Sequence, residues 1–207
     1  MYKFVPKLNH LLQTIVITST TMGMEIERKF LVRSDRFKAE AAQAAGCNGD
    51  AGVYYRQGYV PTLNGTTVRI RIAGDKGFIT IKDRAIGFSR HEFEYSIPRE
   101  EAEQMLELMC TKPQIEKHRY KIPYCPSDSS QNEASMQDDA TTHLCWEVDV
   151  FHGENEGLVV AEIEVPSEDT PISLPDWIGE EVTGDKRYYN SHLIGNPYCK
   201  WRTKISE

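Results

Sequence analysis

Long apolar runs are missing from this chain, and so is any excess of positive charge. The stretch that comes nearest to an apolar segment is Leu11, Leu12, Ile15, Val16 and Ile17 behind Lys3 and Lys7, and Gln13 and Thr14 interrupt it. It is too short to span a bilayer. The Ser-Thr-Thr-Met-Gly that follows lacks a small-x-small cleavage pattern, so a disordered extension or an upstream start outranks a secretory signal. Residues 1–23 are therefore expected to form an extension and residues 24–207 the domain. Lys and Arg number 24 against 31 Asp and Glu, a formal net charge of -7 that excludes a general nucleic-acid binder but not a locally basic cavity. The five cysteines are odd in number, widely spaced and without a Cys-x-x-Cys pair, which excludes a disulfide framework and a zinc site and fits a reducing cytoplasm.

What the sequence does contain is alternation. In Met24 to Val32, Glu25, Glu27 and Lys29 share one face of a strand, while Ile26 and Phe30 take the other with Arg28 between them. Val53 to Val60 puts Tyr55, Gln57 and Tyr59 on one face, and Thr67 to Ile72 sets Arg69 and Arg71 against Val68, Ile70 and Ile72. Further strands are expected over Phe78 to Asp83 (Thr80 and Lys82 against Ile79 and Ile81) and His91 to Ile97 (Glu92 and Glu94 against Phe93 and Tyr95). Ile115 to Ile122 groups Lys117, Arg119 and Lys121, Leu144 to Phe151 groups Glu147 and Asp149, and Leu158 to Val165 groups Glu162 and Glu164. Helices are expected over Arg36 to Ala45, from Pro98 to about Cys110, and from about Thr183 to Leu193; Tyr124 to Thr142 has no period and reads as a long loop. His118 falls on the apolar side of its strand and is expected to be packed there rather than to bind a ligand.

Eight short strands in hairpin order, with flanking helices, predict an all-β dominated (α+β) fold: an eight-stranded antiparallel barrel, closed into a tunnel. Either face could point inward. Solvated faces mix in Ser, Thr, Gln and Asn, whereas these charges are sorted by strand into acidic pairs and basic sets, which favours a charged lumen built around a ligand. Rows of both signs suit a metal-bound polyphosphate, with carboxylates taking the cation and basic side chains the phosphates.

Glu25-x-Glu27-x-Lys29, followed by Arg56-Gln57-Gly58-Tyr59, Val68-Arg69-Ile70-Arg71, Thr80-Ile81-Lys82, Glu92-x-Glu94, Glu116-Lys117-x-Arg119-Tyr120 and Glu162-x-Glu164, resembles the CYTH superfamily of triphosphate tunnel metalloenzymes. The likeness covers about Met24 to Ile194 and is strongest to small bacterial inorganic triphosphatases. It implies metal-dependent hydrolysis of a triphosphate with Mg²⁺ or Mn²⁺ as cofactor. It assigns Glu25, Glu27, Glu162 and Glu164 to the metal and Lys29, Arg69, Arg71, Lys82, Lys117 and Arg119 to the phosphate chain. Glu92, Glu94, Glu147 and Asp149 would hold the basic side chains extended, the last two serving also as ligands of a second metal. Tyr59, with Lys29 beside it, is the catalytic candidate that the resemblance supplies. The expected partner is a small triphosphate rather than nucleic acid or a membrane, with a homodimer left open. A class IV adenylate cyclase or a thiamine-triphosphatase-like enzyme shares these motifs, and a polyphosphate-binding module without catalysis would be expected to have lost the carboxylates.

Overall fold

The structure, a computed structural model, describes residues 26–46, 52–63, 65–83, 91–125 and 144–202. Glu25, the extension over residues 1–23, Asn64 and most of the polar stretch after Tyr124 lie outside the described residues.

Among the described residues nine strands form one sheet: β1 Ile26–Val32, β2 Val53–Val60, β3 Thr67–Ala73, β4 Lys76–Lys82, β5 Glu92–Ile97, β6 Ile115–Pro123, β7 Cys145–Phe151, β8 Val159–Val165 and β9 Ile178–Glu181. Three α-helices accompany them among the described residues: α1 Phe37–Ala44, α2 Arg99–Leu108 and α3 Asn190–Gly195. The alternating segments became strands for the reason that their pattern gives, with apolar residues on one side and charged residues on the other. Gly74, at φ 59°, lets the β3–β4 hairpin close where a side chain would be strained.

The closed eight-stranded barrel expected from the sequence is not what forms. The strand order is β5-β4-β3-β2-β6-β7-β8-β1-β9, every pairing is antiparallel, and the sheet ends at β5 and β9 without closing. Two features account for this. The free edge of β1 is occupied by β9, which pairs Phe30 with Glu181 and Val32 with Ile178. At the other end, among the described residues, β5 pairs with β4 only, and Phe93 and Tyr95 stay 51% and 56% exposed. The strand Ile178–Glu181 escaped notice because four residues are too few to carry a period.

Helices cover the apolar face. Phe37 and Ala41 of α1 pack among Phe30, Ile122, Trp146, Ile163 and Trp177. Ala102 and Leu106 of α2 pack on Ile70 and Ile72. This approach is close, since a Cβ on Gly58 would stand 2.8 Å from Cys110 Cβ and one on Gly77 2.9 Å from Ala102 Cβ.

The C-terminal segment does something different. Val182, Tyr188 and Leu193 join Ile115, Phe151, Leu158 and Val160, with Leu31 against them. Ile115, Phe151, Val160 and Leu31 lie two residues along their strands from Lys117, Asp149, Glu162 and Lys29, on the same face. The charged rows thus turn apolar at one end, and the tail covers them there. The expected helix through Leu193 is a 3-10 turn at Lys186–Tyr188 followed by α3. No described helix is long and apolar enough to cross a membrane.

Candidate active site

Strand register decides which charges meet. Across β6, β7, β8 and β1, Lys121 opposes Glu147, Glu147 opposes Glu162, and Glu162 opposes Lys29, while Arg119 opposes Asp149 and Glu27 opposes Glu164. Two of these pairs, Glu147 with Glu162 and Glu27 with Glu164, set carboxylate against carboxylate, which is unfavourable unless cations stand between.

For the first pair the cation is Arg119. Its guanidinium donates to Asp149 through Nε (2.7 Å to Oδ1) and Nη2 (2.6 Å to Oδ2), reaches Glu162 Oε2 at 3.1 Å and pairs with Glu147 through Nη1. Lys29 donates to Glu162 and stands 2.8 Å from Glu27 Oε1. Lys117 pairs with Asp149, and Lys121 with Glu147 at 2.7 Å. The centre of this network is shielded from water: Lys29 is 6% exposed, Lys117 2% and Asp149 0%.

Burial and pairing compete in these charges. Burial would raise the pKa of the Asp149 carboxyl, but Lys117 and Arg119 together hold it well below the usual aspartate range. Burial, reinforced by Arg119, pushes Lys117 down despite Asp149. At Lys29 burial also acts downward, yet Glu162 and Glu27 outweigh it and the ammonium is held above the ordinary lysine value. Arg119 follows the same logic with three carboxylates and is raised well above the usual arginine value. Lys29, Arg119 and Asp149 are thereby held in their charged forms in neutral solution.

A second network lies on β3, β4 and β5. Glu94 accepts from Arg71 Nη2 at 2.9 Å, from Arg69 Nη2 at 3.3 Å and from Thr80 Oγ1 at 2.7 Å, while Lys82 pairs with Glu92. Burial, then Arg69, lowers the Arg71 pKa against the pull of Glu94. The two networks meet at Tyr55. Its ring has Arg71, Lys117 and Arg119 within 5.8, 5.9 and 5.5 Å of the centroid. Tyr59 stands opposite Arg69 in register, and the ring near Lys29 is Tyr189, at 5.8 Å.

The structure therefore gathers Lys29, Glu27, Glu147, Asp149, Glu162, Lys117 and Arg119 in one cluster and Arg69, Arg71 and Lys82 in a neighbouring one. Tyr55, Thr80 and Tyr189 were not singled out from the sequence, although Tyr55 and Thr80 lie in phase with the charged rows. Tyr189 sits in the tail, where no alternation points to it. His118 is packed as expected, with its Nδ1 2.7 Å from His152 Nε2.

Glu27, Glu147, Glu162, Glu164, Lys121, Leu144 and Cys145 line a cavity of about 270 Å³. Four carboxylates around one space form an oxygen-rich donor set that suits a hard divalent cation. The residues fit such a metal in kind. Among the described residues no three of them already converge as ligands of one ion. Both oxygens of Asp149 are taken by Lys117 and Arg119.

An antiparallel sheet with one face given to linked rows of cations and carboxylates is suited to a protein that handles a metal-bound polyanion. A family model described as the CYTH domain matches residues 23–190, and the chain belongs to that family. It is 47% identical over 181 residues to an inorganic triphosphatase of Acetivibrio thermocellus, covering 87% of this chain and 99% of that one. An inorganic triphosphatase of Nitrosomonas europaea is 35% identical over 175 residues, 82% of this chain and 95% of that protein. Among solved structures, a crystal structure of an inorganic triphosphatase superposes with a TM-score of 0.54 at 31% identity, covering 82% of this chain and 93% of that one.

Proposed function

We propose that this chain is a hydrolase of phosphoanhydride bonds whose substrate is inorganic triphosphate, working with a divalent cation, Mg²⁺ or Mn²⁺. The observation that carries the reading is the juxtaposition of the acid-lined cavity with the cation rows: Lys29 and Arg119 each touch Glu162, at the boundary between the two. Triphosphate carries several negative charges along a short rod, so it needs both a metal and a line of basic donors.

In this reading Glu27, Glu162 and Glu164, together with Glu25, hold the metal, and Glu147 borders the same cavity. The bound cation would neutralise phosphoryl charge and lower the pKa of an attacking water. Arg69, Arg71, Lys82, Lys117 and Arg119 grip the phosphate chain by charge-assisted hydrogen bonds. Asp149 positions Lys117 and Arg119, and Glu94 does the same for Arg69 and Arg71. Lys29 joins the metal side to the phosphate side. Tyr59, opposite Arg69 in register, would offer its hydroxyl to a terminal phosphoryl group or its water. Water attacks the terminal phosphorus, the anhydride bond breaks, and diphosphate and orthophosphate are released.

Phosphate release from tripolyphosphate, ATP and thiamine triphosphate, measured with Mg²⁺, with Mn²⁺ and with chelator, tests the proposal. Tripolyphosphate is expected to turn over fastest and only with a divalent metal. Cyclic AMP formed from ATP, or no release from tripolyphosphate with either metal, would contradict it.

A further inference from the structure

Gln57 is the side chain on the charged face that neither the ion pairs nor the proposed roles above account for. It lies on β2 between Tyr55 and Tyr59 and is 2% exposed, yet its Nε2 has no hydrogen-bond partner. A buried amide donor without an acceptor is costly, and native structures rarely carry one without a reason. Two more buried donors in the same condition lie next to it. Arg71 is directly opposite Gln57 in register, Arg69 is two residues along the same face, and the Nε of each is buried without an acceptor. Their Nη2 groups are held by Glu94, which fixes the guanidinium planes while leaving the Nε–H groups unused. Directly opposed Cβ atoms on such strands are about 5 Å apart, so the three unfilled N–H donors belong to neighbouring side chains on one face of β2 and β3.

The chemistry of the three donors explains why one of them is neutral. Arg69 and Arg71 already repel one another on a half-buried face, and Glu94 is shared between them. A third cation at position 57 would have to be buried uncompensated whenever the site is empty. An amide donates to the same oxygen without that penalty.

We propose that Gln57 is a substrate-binding residue: its side-chain amide donates to a phosphoryl oxygen of the inorganic polyphosphate that the Nε–H groups of Arg69 and Arg71 grip at the same time. This rests on the reading of the face as a triphosphate site and adds to it a neutral donor that sets where one phosphoryl group stops along the rows of cations.

The test uses the full chain, with Gln57→Met as the near-isosteric variant without a donor, Gln57→Leu as a second, and Arg71→Ala as control. Imidotriphosphate, whose bridging nitrogens resist hydrolysis, serves as the probe by calorimetry with Mg²⁺, beside thermal melting of the ligand-free proteins. Gln57→Met and Gln57→Leu are expected to weaken Kd on the order of tenfold while melting no lower than the parent, because they remove a donor that only the ligand satisfies. A merely structural glutamine would do the reverse, lowering the melting temperature and leaving Kd alone. Parental Kd in the Gln57 variants with binding lost in Arg71→Ala would overturn the role of Gln57 and leave the triphosphate site standing. Parental Kd in Arg71→Ala as well, or no binding by the parent, would overturn both, and failure of both Gln57 variants to fold would show the amide to be structural.

Discussion

Asp149 shows how much of the charged face depends on single residues. Fully buried between Lys117 and Arg119, it is what lets two cations lie side by side out of water. Asp149→Asn leaves Lys117 without its ion-pair partner and takes one of three carboxylates from Arg119, and is expected to cost about 3–5 kcal/mol of stability in denaturant melts at neutral pH. The pH dependence has a definite sign. With its pKa pushed down to about 2, below the unfolded value, Asp149 contributes stability that is present above about pH 4 and is lost as pH falls toward about 2. The parent is therefore expected to lose stability more steeply than Asp149→Asn over that window. Tyr59→Phe belongs to the same scale. If the hydroxyl meets the reacting group rather than the bound chain, kcat falls while KM holds. These residues were legible because alternation assigns a side to each. Asp149 shares the phase of Glu147, and its ion pairs with Lys117 and Arg119 came only with the register that sets Arg119 against it.

At the scale of elements, α2 is docked by two glycines rather than by side-chain bulk alone. A Cβ at Gly77 would meet Ala102 Cβ and Ile97 O, both at 2.9 Å, and the carbonyl is held in the β4–β5 region. Gly77→Ala is expected to destabilise by about 1–3 kcal/mol through overpacking, read as a lower denaturation midpoint with little change in m. Most strand positions could be read from the sequence. Val68, Ile70 and Ile72 against Arg69 and Arg71 leave no other sheet reading, and α2 follows from Pro98 with acids in the first turn. Two features resisted. The four residues of β9 carry no period, and Thr183, which accepts from the Lys29 backbone N–H at 3.0 Å, belongs to a turn whose contacts are made 154 positions away.

For the molecule as a whole, alternation tells which side each strand presents but not which strand comes next to which. The order of the sheet depends on β6 crossing to β2 and on β9 taking the edge of β1, and the closed barrel was overturned there. The covered end, where Leu31, Ile115, Phe151 and Val160 meet the C-terminal segment, was likewise invisible, because those residues extend the charged rows as apolar exceptions. The charged face itself survives the correction, since it depends on the phase of each strand and not on closure. Its division of labour is the central claim, with carboxylates for the metal and cations for the phosphates. The most direct measurement is tripolyphosphate hydrolysis by the parent, Glu162→Gln and Arg119→Ala across a Mg²⁺ series. Glu162→Gln is expected to lose turnover and regain part of it at high Mg²⁺, because the phosphate contacts remain. Arg119→Ala is expected to lose transition-state stabilisation on the order of 2 kcal/mol or more, with no recovery at any Mg²⁺ concentration. Equal rescue of both variants, or of neither, would contradict the assignment of Glu162 to the metal and Arg119 to the phosphate chain.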